Sequence, residues 1–171
     1  MSDPAKEDLF MDRDLQYSDA RNKAIAHIGI AVSSSGKIRD FLSDKGYDAD
    51  VIEEVIEQLS EEKYIDDVRY AGKILRARSG AKAEGRLKLA SRLEAAGVAS
   101  DVISDVLSDS AYADENTIMD VIRDRFPADS FSTEPSETKR QLAKAIRYLE
   151  SRGYSSSLAL SSFRKLLNDV E

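Results

Sequence analysis

Three kinds of residue in this chain have types that support chemistry: one histidine, many carboxylates, and a band of arginines and lysines. His27 is the only histidine, and there is no cysteine. A thiolate–imidazole zinc site therefore cannot be assembled, and nothing in the spacing sets a serine against the one histidine as a Ser-His pair. His27 stands between Ile25 and Ile28 on a helical pattern and is read as a structural or surface residue. The carboxylates are dispersed along helix surfaces. The neighbours Glu53-Glu54, Glu61-Glu62 and Asp66-Asp67 fit solvent-facing or capping groups better than a general acid/base pair. Residues 29–37 suggest a phosphate loop only superficially. The spacing from the first glycine to Gly36-Lys37 is wrong, and Ile38 replaces the Ser or Thr that binds magnesium. No catalytic residue, metal site or cofactor is expected.

The cations are the strongest functional signal. The net charge of −7 argues against a generic nucleic-acid binder, but the charge is unevenly distributed. Residues 1–68 carry net −9, residues 69–92 net +7, residues 93–136 net −8 and residues 137–171 net +3. Within the first basic segment Arg69, Lys73 and Arg76 are spaced four and three, so they share one helix face. That face lies opposite Val68, Ala71, Ile74 and Leu75, which are expected to be buried. Arg140, Lys144 and Arg147 repeat the arrangement opposite Leu142, Ala145, Ile146 and Leu149. Lys88 and Arg92 are four apart and away from the Leu89–Leu93 stripe. Lys82 and Arg86 fall nearer that stripe and are read as draping their stems over the core. Arg78 is placed on the core-facing side near a helix C-terminus. Tyr70 fits the edge of the core better than a stacking platform.

The elements that must hold these residues repeat three times. Gly46, Gly97 and Gly153 each follow an apolar residue eight positions back (Ile38, Leu89, Ala145) and a leucine four back (Leu42, Leu93, Leu149). Those positions share a helix face, and a glycine just past it is a C-terminal stop. A second apolar run follows each glycine, so the unit is helix, glycine turn, helix. The spacings of 51 and 56 residues leave room for one more helix per copy.

The expected fold class is all-α, with three tandem three-helix repeats and no sheet. The expected divisions are a mobile tail at 1–17 and repeats at 18–60, 61–110 and 111–171. Ser18 is taken to cap a first helix through Ile25, Ile28 and Val32. Further helices are expected at about 35–45, 49–60, 67–78, 82–96, 100–109, 113–125 and 156–168, the fourth capped by Asp66. The eighth is expected to be capped by Ser136 or Thr138, after a loop from Pro127 to Pro135. No apolar run approaches the roughly 18 residues of a membrane span, and the acidic start has no secretory pattern, so a soluble, cytoplasmic monomer is expected.

At Tyr64-Ile65-Asp66-Asp67-Val68-Arg69-Tyr70-Ala71 the sequence resembles the RecX family, the modulators of the RecA recombinase. The family pattern continues as a basic helix with an Arg near its end (Arg78), then Leu-x-x-x-Gly-Val at Leu93 to Val98. Leu149-Glu150-Ser151-Arg152-Gly153-Tyr154 is similar to the family's closing motif. The match covers about residues 20–168. Tyr64, Asp67, Arg69, Tyr70, Ala71, Gly97 and Gly153 carry it. Residues 79–85 depart from it, where many members have a Lys-Gly and an aromatic. The seventh helix has Arg123 and Arg125 near the place of paired lysines.

The resemblance implies a curved body of three-helix repeats without catalysis. Its implied partners are the RecA recombinase and its nucleoprotein filament, with weak contact to single- or double-stranded DNA and none to membrane. It implies modulation, and most of all inhibition, of the ATPase, recombinase and coprotease activities in DNA repair and the SOS response. Arg69, Lys73, Arg76, Lys88, Arg92, Arg140, Lys144 and Arg147 are the candidate contacts to RecA or DNA. A stand-alone DNA-binding regulator of the helix-turn-helix type is the alternative. Against it stand Glu53, Glu54, Asp101 and Asp105 on the second helices of the glycine units.

Overall fold

Each apolar period in the chain becomes a helix, and each glycine stop becomes a turn. The computed structural model describes residues 4–29 and 32–168, and among these there are nine α-helices and no strand. They are α1 (Pro4–Ile28), α2 (Ser35–Asp44), α3 (Ala49–Glu61), α4 (Asp67–Ala77) and α5 (Arg86–Glu94), followed by α6 (Ser100–Leu107), α7 (Asp114–Arg125), α8 (Pro135–Ser151) and α9 (Ser156–Asn168). Short 3-10 turns occupy Gly80–Lys82, Ser110–Tyr112 and Ala128–Ser130.

The glycine turns work as the spacing implies. Gly46, Gly97 and Gly153 have φ of +84°, +68° and +91°, the left-handed region where a Cβ is penalised. In two turns the leucine four before the glycine does double duty. The Leu42 and Leu149 side chains are fully buried. Their carbonyls accept the amides of Tyr47 (3.4 Å) and Tyr154 (3.1 Å), the long bond of a Schellman turn.

The chain packs as two compact units. The first comprises residues 1–70 with Ala96–Ala99. Its core joins Ala20, Ala24 and Ile28 of α1 to Ile38 and Leu42 of α2 and Val51, Ile52, Val55, Ile56 and Leu59 of α3. The turn of the second repeat belongs to this unit. The Ser34 hydroxyl, fully buried, donates to the Ala96 carbonyl at 2.6 Å. Gly36 lies so close to Gly97 that a Cβ on it would sit 2.3 Å from the Gly97 Cα. The second unit comprises Ala71–Ala95 and residues 100–171, with a core of Ala83, Ile118, Val121, Ile122, Ala145, Leu149, Tyr154, Ala159 and Phe163. The same seating recurs there. The Gly85 amide donates to the Arg152 carbonyl at 2.8 Å, and a Cβ on Gly85 would meet the Gly153 oxygen at 2.4 Å. The unit boundary falls inside α4, between Tyr70 and Ala71.

Four expectations need correction. Residues 4–17 are helical rather than a tail, and residues 1–3 lie outside the described residues. The reason is long-range: Arg13 pairs with Asp50 (3.1 Å) and Glu54 (2.7 Å) on α3, and Tyr17 packs on the first core. The first helix stops at Ile28 instead of running to Val32, with Gly29 at φ +52°; residues 30–31 are outside the described residues. The fifth helix begins at Arg86, not about 82, because residues 80–82 form a 3-10 turn and Ala83, Glu84 and Gly85 are buried beside it. The eighth begins at Pro135, with Glu134 rather than Ser136 or Thr138 at its N-cap. Proline at that first position loses no helical hydrogen bond.

Candidate functional site

The site is built from the start of α4. Asp66 caps the helix, its Oδ1 accepting the Arg69 amide at 2.9 Å. Asp67 turns the other way and accepts both the Ser35 amide (2.8 Å) and the Ser35 hydroxyl (2.6 Å) at the start of α2. Tyr70 is buried at 6% exposure, with the Lys37 ammonium 5.1 Å from its ring centroid, and Ala71 is fully buried. Three of the recognisable positions, Asp67, Tyr70 and Ala71, therefore hold α4 in place. Tyr64 and Arg69 face solvent, as does Val68 at 59% exposure. Val68 was expected in the buried face. It lies at the edge of that face, in the first turn of the helix, and stays mostly open to solvent.

Arg69, Lys73 and Arg76 are all exposed on one face of α4, and none forms an ion pair among the described residues. Gly72 lies beside that face, and the Arg76 guanidinium folds over it; a Cβ there would stand 3.1 Å from Nη1. A second cationic face is on α8. Lys144 and Arg147 are exposed and form no ion pair among the described residues, while Arg140 pairs with Glu137 at 3.1 Å.

The α5 cations are engaged within the second unit. Lys88 is half-buried and its ammonium donates to the Ser151 carbonyl. Arg92 grips Glu84 with two bonds, Nε to Oε2 at 2.5 Å and Nη2 to Oε1 at 2.8 Å. Glu84 is only 3% exposed. Burial pushes its carboxyl up, but the Arg92 bonds, with the charges of Arg92, Arg78 and Lys88, outweigh that and hold it below the usual carboxylate range. Arg86 spans to the carbonyls of Tyr112 and Asp109, both at 3.2 Å, and its amide meets Asp114 at 2.8 Å. On the opposing helices of the glycine units, Glu53, Glu54, Asp101 and Asp105 are all exposed.

Sequence reasoning did not find a cleft of about 250 Å³ between the end of α7, the 3-10 turn after it and α8. Arg125, Phe126, Phe131, Gln141, Lys144 and Tyr148 form most of its lining. The available signal was a set of aromatics flanking the proline-bounded loop next to Arg125. Among the described residues no group of three or more His, Asp or Glu is arranged to hold a metal, and no helix is long and apolar enough to cross a membrane.

Residues 20–59 match the family model described as RecX, first three-helix domain. The chain is 32% identical over 120 residues to the regulatory protein RecX of Mycobacterium sp. strain JLS, covering 70% of this chain and 66% of that protein. The chain belongs to the RecX family. Another RecX relative, from Clostridium perfringens strain SM101, is 27% identical over 155 residues, covering 90% of this chain and 71% of the relative. The fold agrees with two solved RecX structures. One, from Lactobacillus salivarius, superposes with a TM-score of 0.68 at 19% identity, over 88% of this chain and 96% of that one. The other gives 0.72 at 17% identity, over 99% and 79%.

Proposed function

We propose that this protein is a non-enzymatic regulator that binds the RecA recombinase and its filament on DNA. It acts in the cytoplasm as a monomer, without a cofactor, and lowers the filament's ATPase, recombinase and coprotease activities in DNA repair and the SOS response. The observation that carries the reading is the α4 face. Arg69, Lys73 and Arg76 are exposed and form no ion pair among the described residues, on the helix whose buried side is fixed by Asp67, Tyr70 and Ala71. A cationic row in a protein of net charge −7 favours a partner that offers phosphates or carboxylates at one place, not a general polyanion. The α8 row extends the interaction. Lys88 and Arg92 contribute by holding the second unit together. The RecX relatives are themselves named regulatory proteins. The exposed carboxylates of α3 and α6 weigh against a helix-turn-helix reading, since they would face phosphates.

The test is single-strand-DNA-dependent ATP hydrolysis by the cognate RecA, titrated with this protein at two salt concentrations. Inhibition at substoichiometric protein is expected. It should weaken in the triple variant Arg69→Glu, Lys73→Glu, Arg76→Glu with helicity unchanged. Removing three phosphate contacts lowers the salt slope of binding by about two to three. No effect of the folded wild-type protein on hydrolysis would overturn the reading. Unchanged binding by the triple variant would remove α4 from it.

A further inference from the structure

The cleft between α7 and α8 has a composition that the α4 face lacks. Its walls are aromatic: Phe126, Phe131 and Tyr148 are each partly exposed there. Their rings are held from behind. Phe126 and Phe131 both stand edge-on to the buried Phe163, at 5.8 Å, and Phe126 stands edge-on to Tyr148 at 5.5 Å. Tyr148 is fixed further by Arg152, whose Nη2 donates to its hydroxyl at 2.8 Å.

The charged groups at the rim are cations. Arg125 and Lys144 are exposed and form no ion pair among the described residues. The Gln141 carbonyl oxygen is occupied by the Ser132 amide at 2.9 Å, which leaves its amide N–H groups for a ligand. An aromatic slot ringed by cations and donors suits a flat ring bearing acceptors and joined to an anion. At about 250 Å³ it is smaller than the roughly 300 Å³ at which drug-sized sites begin, and it fits one ring system.

The cation at its rim is also part of a row. Lys144 is followed by Arg147 and preceded by Arg140 on the same face of α8. Side chains three and four apart stand about 5–6 Å from one another. That is close to the repeat of a phosphodiester backbone, and an isolated acidic side chain does not use such a row. From this juxtaposition we propose that the α7–α8 cleft takes one unstacked base of a single-stranded nucleic acid. In this arrangement the base stacks on the Phe131 and Tyr148 side of the slot, its acceptors meet Gln141, and its flanking phosphates lie against Arg125, Lys144 and Arg147. The assignment deepens the filament reading and rests on it for the presence of a strand.

The experiment uses the full chain without recombinase. Fluorescence anisotropy measures binding of a labelled 12-mer oligothymidylate and of an abasic 12-mer with the same phosphates, across a salt series. Base stacking predicts a preference of about 5- to 100-fold for the base-bearing strand. Phe131→Ala is expected to bring that ratio towards one while leaving the salt slope unchanged. Lys144→Gln, an exposed position, is expected to keep the ratio and lower the slope by about 0.7. Equal affinity of the wild-type protein for the two strands, or no binding of either at low salt, overturns the proposal. So does displacement of the strand by an acidic aromatic peptide when the base preference is absent, which would give the cleft to a protein segment. Because no recombinase is present, a negative result leaves the effect on ATP hydrolysis standing. A positive one survives the loss of that effect.

Discussion

Arg92→Met tests whether the α5 cations serve the fold or the partner. Wild-type Arg92 holds Glu84 by two bonds, and Glu84 is 3% exposed while Arg92 is 39% exposed. Removing one partner of a fully buried pair costs about 3–5 kcal/mol, because a buried charge is left alone. Water reaches the arginine end here and takes part of that cost, so about 2 kcal/mol is expected. In a chain of this length each kcal/mol moves the melting temperature by about 2–4 °C, giving a fall of about 4–8 °C.

The penalty also has a pH signature. The Glu84 carboxyl is held below its unfolded value, about 4.3. Its stabilisation is therefore complete above that pH and lost as pH falls through the lower folded value. In Arg92→Met the burial effect remains without its main counterweight. The variant's carboxyl then protonates more readily, and the gap to wild type narrows on acidification. Urea unfolding followed by circular dichroism at pH 7 and pH 4.5 measures both effects. Wild-type stability of the variant at pH 7, or a gap of constant size at both pH values, would refute the reasoning. So would a loss of filament binding in variant protein that is shown to be fully folded.

Other perturbations separate packing from function. Gly36→Ala puts a carbon 2.3 Å from the Gly97 Cα and 2.8 Å from two carbonyl oxygens, all backbone atoms with no room to yield. A loss of about 3 kcal/mol or more is expected in denaturant melts, and an unchanged midpoint would contradict the close approach. Gly72→Ala should act in the opposite direction. The nearest atoms in the way belong to the flexible Arg76 guanidinium, so the helix gains about 0.5–1 kcal/mol, seen as a higher melting temperature. Asp67→Ala removes both bonds to Ser35 and should cost about 1–2 kcal/mol in the same melts. Filament binding by the folded fraction should not change, in contrast to the α4 triple variant.

Much of this architecture is visible in residue spacing, because helices and glycine stops are decided within a few residues of one another. The three leucine–glycine intervals, the Asp66 cap and the exposed α4 triplet all follow from local periodicity. The features that spacing does not show share a different cause. Arg13 finds its partners 37 and 41 residues away, so the helicity of residues 4–17 depends on α3. Lys88 has its partner 63 residues away, and its helix position alone presents it as a surface cation. Arg92 is a subtler case, since Glu84 is only eight residues off. The 3-10 turn at residues 80–82 brings the two together, and a continuous helix over 82–96 would not. Val68 obeys the apolar period of α4 but sits at the edge of its buried face and stays exposed. The α7–α8 cleft depends on how a loop folds back, which no periodicity encodes.

The paired glycines also set rules for joining copies. Each glycine turn acts as a plug, and each helix start bearing a glycine acts as a socket for the plug of the next copy: Gly36 receives Gly97, and Gly85 receives Gly153. Gly46 is a plug with no socket, for among the described residues nothing lies within 4 Å of where its Cβ would be. In the third copy the helix that ends on the glycine turn begins at Pro135, which provides no socket. A duplicated copy inserted between the second and third would need a glycine at both positions to click in. One appended after α9 would have no seat of this kind. The number of copies joined this way is thus written into two residue positions per copy, independently of how well each hydrophobic core is packed.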